Sequence, residues 1–169
     1  MESMRRVLLL GFGLAIAAAG CTQSGQAPTP VPIALAPPST IDKFSGTLNL
    51  LGSNYHQFTV AAPGEVDITL TGTTYAPTTD ATTGESVPST KTDPIPPLQI
   101  AVGTPAATTI GLQCSVLVFD TQVMLVTAVA STTAQLKGNA LSGNYCISVS
   151  DPNAALTDSI KYTVTVAHP

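Results

Sequence analysis

Five runs along the chain alternate apolar and polar residues with a period of two. Phe58 and Val60 alternate with Gln57 and Thr59, and Val66, Ile68 and Leu70 alternate with Asp67 and Thr69. The same spacing recurs at Leu98, Ile100 and Val102, at Tyr145, Ile147 and Val149, and at Tyr162, Val164 and Val166. Successive side chains of an extended chain point to opposite faces, so each run predicts a half-buried strand. Turn-forming residues separate the runs: Gly52-Ser53-Asn54, Pro63-Gly64, Gly138-Asn139, Ser142-Gly143-Asn144 and Asp151-Pro152-Asn153. Val123–Ala130 is a dense apolar stretch whose β-branched residues favour a buried strand, with a short helix as the alternative. No window gives a convincing amphipathic helix. The pattern predicts an all-β fold, an antiparallel two-sheet sandwich of eight or nine strands.

Between the second and third of these runs lies a stretch without this rhythm. Residues 71–97 are dense in Thr and Pro and lack apolar periodicity. A loop of that length in a compact domain is functional or disordered. The first reading is disorder or an exposed ornament; the second is a ligand-contacting loop, with Tyr75 as its exposed aromatic. His56 shares a face with Phe58 and Val60 and is expected to be a partly buried strand residue. His168 stands one residue from the end and is expected to fray.

The N-terminus has a different grammar. Arg5 and Arg6 precede an apolar run from Val7 to Ala19 that ends in small residues, the layout of an export signal. The run is short of the roughly 20 apolar residues of a comfortable membrane span. It closes on Ala18-Ala19-Gly20-Cys21, which resembles the lipobox of bacterial lipoproteins. That resemblance implies cleavage before Cys21 and acylation of its thiol and new amine, so a membrane partner held through lipid. Ordinary cleavage, leaving Cys21 as a stray thiol, is the alternative. Each buried lipid CH₂ contributes ~0.8 kcal/mol, so two or three chains anchor stably where one does not. Thr22 follows the cysteine, where Asp commonly signals inner-membrane retention, and this leans toward the outer membrane. Residues 22–40 then hold five prolines and read as an extended tether. At ~3.1 Å per residue it reaches up to roughly 60 Å. The expected organisation is a signal over residues 1–20, a lipidated cysteine and linker over 21–40, and the sandwich over 41–169.

Charge and cysteine content narrow the function. The chain has 169 residues, 9% of them charged, with net charge −4. Without Glu2, Arg5 and Arg6 that charge becomes −5, the wrong balance for gripping a phosphate backbone, so no nucleic-acid partner is expected. With Cys21 assigned to lipid, Cys114 and Cys146 remain as a pair in an oxidising compartment. A bridge between them closes a loop of about 33 residues, ~3–4 kcal/mol in the chain-entropy model. Two free buried thiols are the alternative, and two thiols without a nearby His make a poor zinc set. Cys146 is out of phase with Tyr145 and Ile147, so its sulfur is expected on the other face of its sheet. The bridge then pins Cys114 laterally and does not join the two sheets. Asp151, Asn153 and Asp158 are the densest oxygen-ligand set, and Asp-Pro-Asn makes turns without a metal. No nucleophile elbow, phosphate loop or thiol-redox motif is present, and no catalytic residue, metal or cofactor is assigned.

The strand phrases resemble the bacterial pre-peptidase C-terminal domain, a small jelly-roll-like sandwich of secreted proteins. Its opening is matched by Gly46, by Tyr55-His56-Gln57-Phe58-Thr59-Val60 and by Gly64-Glu65-Val66-Asp67-Ile68-Thr69-Leu70. Its closing Gly-x-Tyr strand is matched by Gly143-Asn144-Tyr145-Cys146-Ile147-Ser148-Val149, followed by Tyr162-Thr163-Val164-Thr165-Val166. Together these span about residues 44–166. Pro97-Leu98-Gln99-Ile100 replaces the family's Asp-x-Asp-Leu, so no calcium role is carried over. The resemblance implies a noncatalytic binding or adhesion module, here lipid-anchored in the cell envelope, facing an envelope protein or polysaccharide. A structural or assembly subunit of an envelope complex is the alternative, and a secreted hydrolase the less favoured one.

Overall fold

A computed structural model describes residues 35–109, 111–119 and 122–169. The export signal, Cys21 and the first part of the proline-rich run lie outside the described residues. Two antiparallel sheets face each other across one core. The first runs β1 (Thr40–Leu48), β13 (Ile160–His168), β3 (Gly64–Tyr75), β11 (Leu136–Ala140) in spatial order. The second runs β10 (Leu125–Ala128), β6 (Leu98–Thr108), β12 (Gly143–Ser150), β2 (Ser53–Val60), and β7 (Gly111–Val116) also pairs with β6. Two short ribbons complete the fold: β4 (Thr78–Thr79) with β5 (Ser86–Val87), and β8 (Val118–Phe119) with β9 (Gln122–Val123). The all-β two-sheet sandwich that the alternation predicts is therefore the fold.

The five alternating runs supply the core. Val66, Ile68 and Leu70 of β3 and Tyr162, Val164 and Val166 of β13 face Leu98, Ile100 and Val102 of β6 and Tyr145, Ile147 and Val149 of β12. Phe58 and Val60 of β2 and Leu48 of β1 complete this face. Removing one such side chain from water contributes about 1.5–3 kcal/mol. Because the period is two, a one-residue slip in any ladder would turn its apolar set to solvent, and this fixes the register.

Two polar devices tie the layers together. His56 of β2 reaches across to Tyr162 of β13, Nε2 to hydroxyl 2.8 Å, while its ring stacks on Phe44 at 5.0 Å. Burial pushes the imidazole down and the phenol up from their ordinary values, so both partners are neutral near pH 7. Tyr162 passes close over Gly46, its register partner, where an added Cβ would lie 2.7 Å from the hydroxyl. The second device is Asp151, 3% exposed. Its carboxylate accepts the amides of Ala155 (2.9 Å), Leu156 (3.3 Å) and Leu51 (3.2 Å). Leu51 and Ala154 both have left-handed backbones, with φ of 56° and 51°. That conformation strains a non-glycine residue, and amides held by Asp151 lie at or beside both positions. The Asp-Pro-Asn turn thus clamps the β1–β2 turn.

Several expectations are corrected. His168 does not fray: β1 pairs with β13 up to Thr40 opposite His168, and the imidazole is 3% exposed, 3.1 Å from Asp42 Oδ2 and 5.5 Å from the Phe58 ring centroid. Residues 71–97 dock at their two ends only, and from 77 to 94 every residue but Ser89 is exposed, as the ornament reading expects. Thr71–Tyr75 extend β3, Tyr75 and Ile95 pack against the core, and Lys91 pairs with Asp158 and lies over the Tyr75 ring. Asp80 shapes the ribbon tip by accepting the amides of Thr82 (2.7 Å) and Thr83 (2.9 Å). The apolar stretch after Val123 gives only the short edge strand β10, and Leu125 and Val129 remain exposed. Residues just ahead of β1 also bond to the sandwich. Ala36 N–H donates to the Pro63 carbonyl at 2.9 Å, and Ser39 N–H to the His168 carbonyl at 3.0 Å.

Asp151→Ala is expected to cost about 3 kcal/mol, because three amides lose a shared acceptor and two strained residues lose their support. Urea unfolding measures it, and a loss near zero would contradict the clamp. The lowered value of His56 sets a pH dependence. Its neutral form is the one the fold accepts, so stability is full above the ordinary imidazole value of 6.5 and falls as pH drops through it. Unfolding midpoints above and below 6.5 should differ more in the parent chain than in His56→Gln.

Candidate functional site

Cys146 reveals where the site is built. Tyr145 and Ile147 face the core, so their neighbour faces outward, yet Cys146 is fully buried. The cover comes from β7. Cys146 pairs with Gly103 of β6, and the other edge of β6 pairs with β7, Gly103 opposite Val116 and Pro105 opposite Cys114. A disulfide joins Cys114 to Cys146 with a Cα–Cα distance of 5.7 Å, drawing β7 toward β12 over the outer face of β6. Gly103 makes the crossing possible. A Cβ there would lie 2.0 Å from the Ser115 carbonyl oxygen and 3.0 Å from Cys114 Sγ. Both cysteines belong to one sheet, so the bridge is lateral, as the phase of Cys146 predicts.

The crossing raises a wall on an otherwise open sheet face. Beside it lies a cleft of about 690 Å³, in the size range of small-ligand sites. Ser53, Asn54, Tyr55 and His56 of β2, Ser148 of β12, and Gln113 and Cys114 of β7 line it. Tyr55 sits opposite Ser148 in the ladder and shares its outward face. Ser53 and Ser148 hydroxyls lie 3.2 Å apart, and farther along the face Thr59 donates to Asn144 Oδ1 at 2.9 Å. Among the described lining residues there is no carboxylate and no ammonium group. The imidazole of His56 is turned inward to Tyr162, away from the outward set. The cleft offers hydroxyls, the amides of Asn54 and Gln113 and a half-buried phenol ring, groups suited to hydrogen bonding and stacking.

Other candidates fall away on geometry. Asp151 is occupied by backbone amides and Asp158 by Lys91, so the Asp151, Asn153 and Asp158 set does not converge. Among the described residues no three His, Cys, Asp or Glu side chains gather as a metal site. An interior gap of about 20 Å³ between the sheets, lined by Phe58, Val102, Leu117, Met124, Leu136 and Tyr145 among others, is apolar. A void of that size and lining is a packing defect. Tyr75, expected as the exposed aromatic of residues 71–97, is half-buried, with one side against the core and Lys91 over its ring. The aromatic that does face outward is Tyr55. Its signal was its phase, one residue out of step with His56, Phe58 and Val60.

In a Cys21→Ser background, Gly103→Ala is expected to prevent the bridge and release titratable thiols at Cys114 and Cys146. The chain should lose up to ~3–4 kcal/mol, the chain-entropy value of the cross-link. Thiol counting with urea unfolding measures both, and an intact bridge at parental stability would show that the crossing does not need a glycine.

Comparison with protein-family models and with curated proteins finds no match for this chain.

Proposed function

We propose that the chain is a noncatalytic cell-envelope lipoprotein whose sandwich is a ligand-binding or adhesion module. The signal pattern, the Ala18-Ala19-Gly20-Cys21 run and the proline-rich tether support anchoring through an acylated Cys21, with the outer membrane as the favoured site. The sandwich fits the resemblance to the pre-peptidase C-terminal domain. The observation that carries the binding reading is the cleft around Tyr55, walled by a disulfide-pinned strand and lined by no carboxylate or ammonium group among the described residues. A wall held covalently is a preorganised surface, which lowers the ordering cost of binding.

A second reading, a structural or assembly subunit of an envelope complex, draws on a different feature. Edge strand β10 carries exposed Leu125, with Val129 just beyond it, and an exposed apolar edge is a template for pairing with another chain.

Intact mass of the mature protein from host membranes tests the anchor. The expected mass begins at Cys21, carries diacylglyceryl and acyl groups, and is lower by two hydrogens before reduction. Cys21→Ser should move the protein to the soluble fraction. An unmodified soluble chain from the parent sequence would remove the lipoprotein reading.

A further inference from the structure

We propose that the Tyr55 cleft binds a neutral glycan chain, an assignment that rests on the binding-module reading above. The first ground is the chemistry of the lining. The Ser53 and Ser148 hydroxyls and the Gln113 amide each donate and accept hydrogen bonds. A sugar hydroxyl does the same, so groups of this kind pair with a polyhydroxyl surface in either sense. A charged ligand finds no counter-ion among the described lining residues, and burying a charge without one is costly.

The second ground is Tyr55. Its ring is half-buried on an outward strand face, beside serine hydroxyls instead of aliphatic side chains. A phenol ring offers an apolar surface with a polar tip, suited to partners that are apolar on one side and wet on the other. The C–H face of a pyranose, rimmed by hydroxyls, is such a partner.

The third ground separates a glycan from an extended peptide. Peptides dock on sheets through unpaired main-chain groups at an edge. On the cleft floor β12 is hydrogen-bonded on both sides, with Ser148 opposite Tyr55 on one and Ala101 on the other. The floor presents side chains there; among the described strands, strand addition is open in the plane of the sheet, along the far edge of its end strand β2, and not on the outward face where the cleft lies. The wall is fixed as well, because the Cys114–Cys146 bridge holds Gln113 beside the floor.

The test uses the full mature chain, isotope-labelled and in detergent micelles, titrated with neutral hexaoses: cellohexaose, maltohexaose, xylohexaose and N-acetylchitohexaose. A parallel titration uses uncharged extended peptides of Gly, Ser and Pro. The expected result is that at least one hexaose shifts the amide resonances of Ser53, Tyr55, Gln113 and Ser148 together. Tyr55→Ala should weaken that binding by about tenfold or more, while Tyr55→Phe, which keeps the ring, loses less. Because Tyr55 faces outward, both variants should give parental spectra elsewhere. Shifts from peptides alone would overturn the glycan assignment and leave the binding-module reading standing. Sugar-induced shifts centred elsewhere, or sugar binding that Tyr55→Ala does not weaken, would overturn it too. If neither probe class shifts the cleft, both readings fall.

Discussion

The covalent link between Cys114 and Cys146 is the constraint on which the outer face of the five-stranded sheet depends. Cys146 sits in a strand whose neighbours face the core, and period-two geometry turns its sulfur outward. An outward sulfur has no core to join, so it reaches a strand on the same sheet. To do so it crosses β6 at the one residue whose missing side chain leaves room, Gly103. β7 is thereby laid against the face as a wall, and the cleft is the space beside it. The bridge builds a surface, while the apolar interior between the sheets holds the sandwich.

That interior stands on alternation, and the few polar groups inside it are neutral or fully engaged. His56 and Tyr162 share one hydrogen bond in which burial disfavours the charged form of each. Asp151 is used entirely within the fold, as an acceptor for loop amides. Lys137 with Asp67 and Lys91 with Asp158 lie at the surface, where ion pairs contribute little. These groups are committed to structure, and the described residues that line the cleft carry no carboxylate and no ammonium group.

Fold class was legible because strand phase is a local property. Each alternating run names its own core residues, and all five runs are buried as their phase requires. The lateral direction of the disulfide was legible for the same reason. What failed was set by long-range pairing. His168 is terminal in sequence, yet its partner lies near residue 40, and only the β1–β13 register shows that it is held. Residues 71–97 are exposed over most of their length, as the missing periodicity implies, but Tyr75 and Ile95 dock singly at the two ends, by contacts that no local pattern encodes. The stretch after Val123 reads as buried from composition, but its place at a sheet edge exposes Leu125. The cleft was half legible. Tyr55 is out of phase with its apolar neighbours, which marks it as outward, whereas the approach of Gln113 follows from the crossing at Gly103.

Hydrogen–deuterium exchange of the oxidised and reduced chain tests most directly whether the bridge builds the site and not the core. Reduction should open the amides of Gln113, Cys114 and Ser115 by a much larger factor than those of β3, β12 and β13, which fall together only by the stability of the cross-link. An equal loss in β7 and in all three core strands would make the bridge a staple of the core. Unchanged protection in β7 would show that its ladder with β6 alone holds the wall.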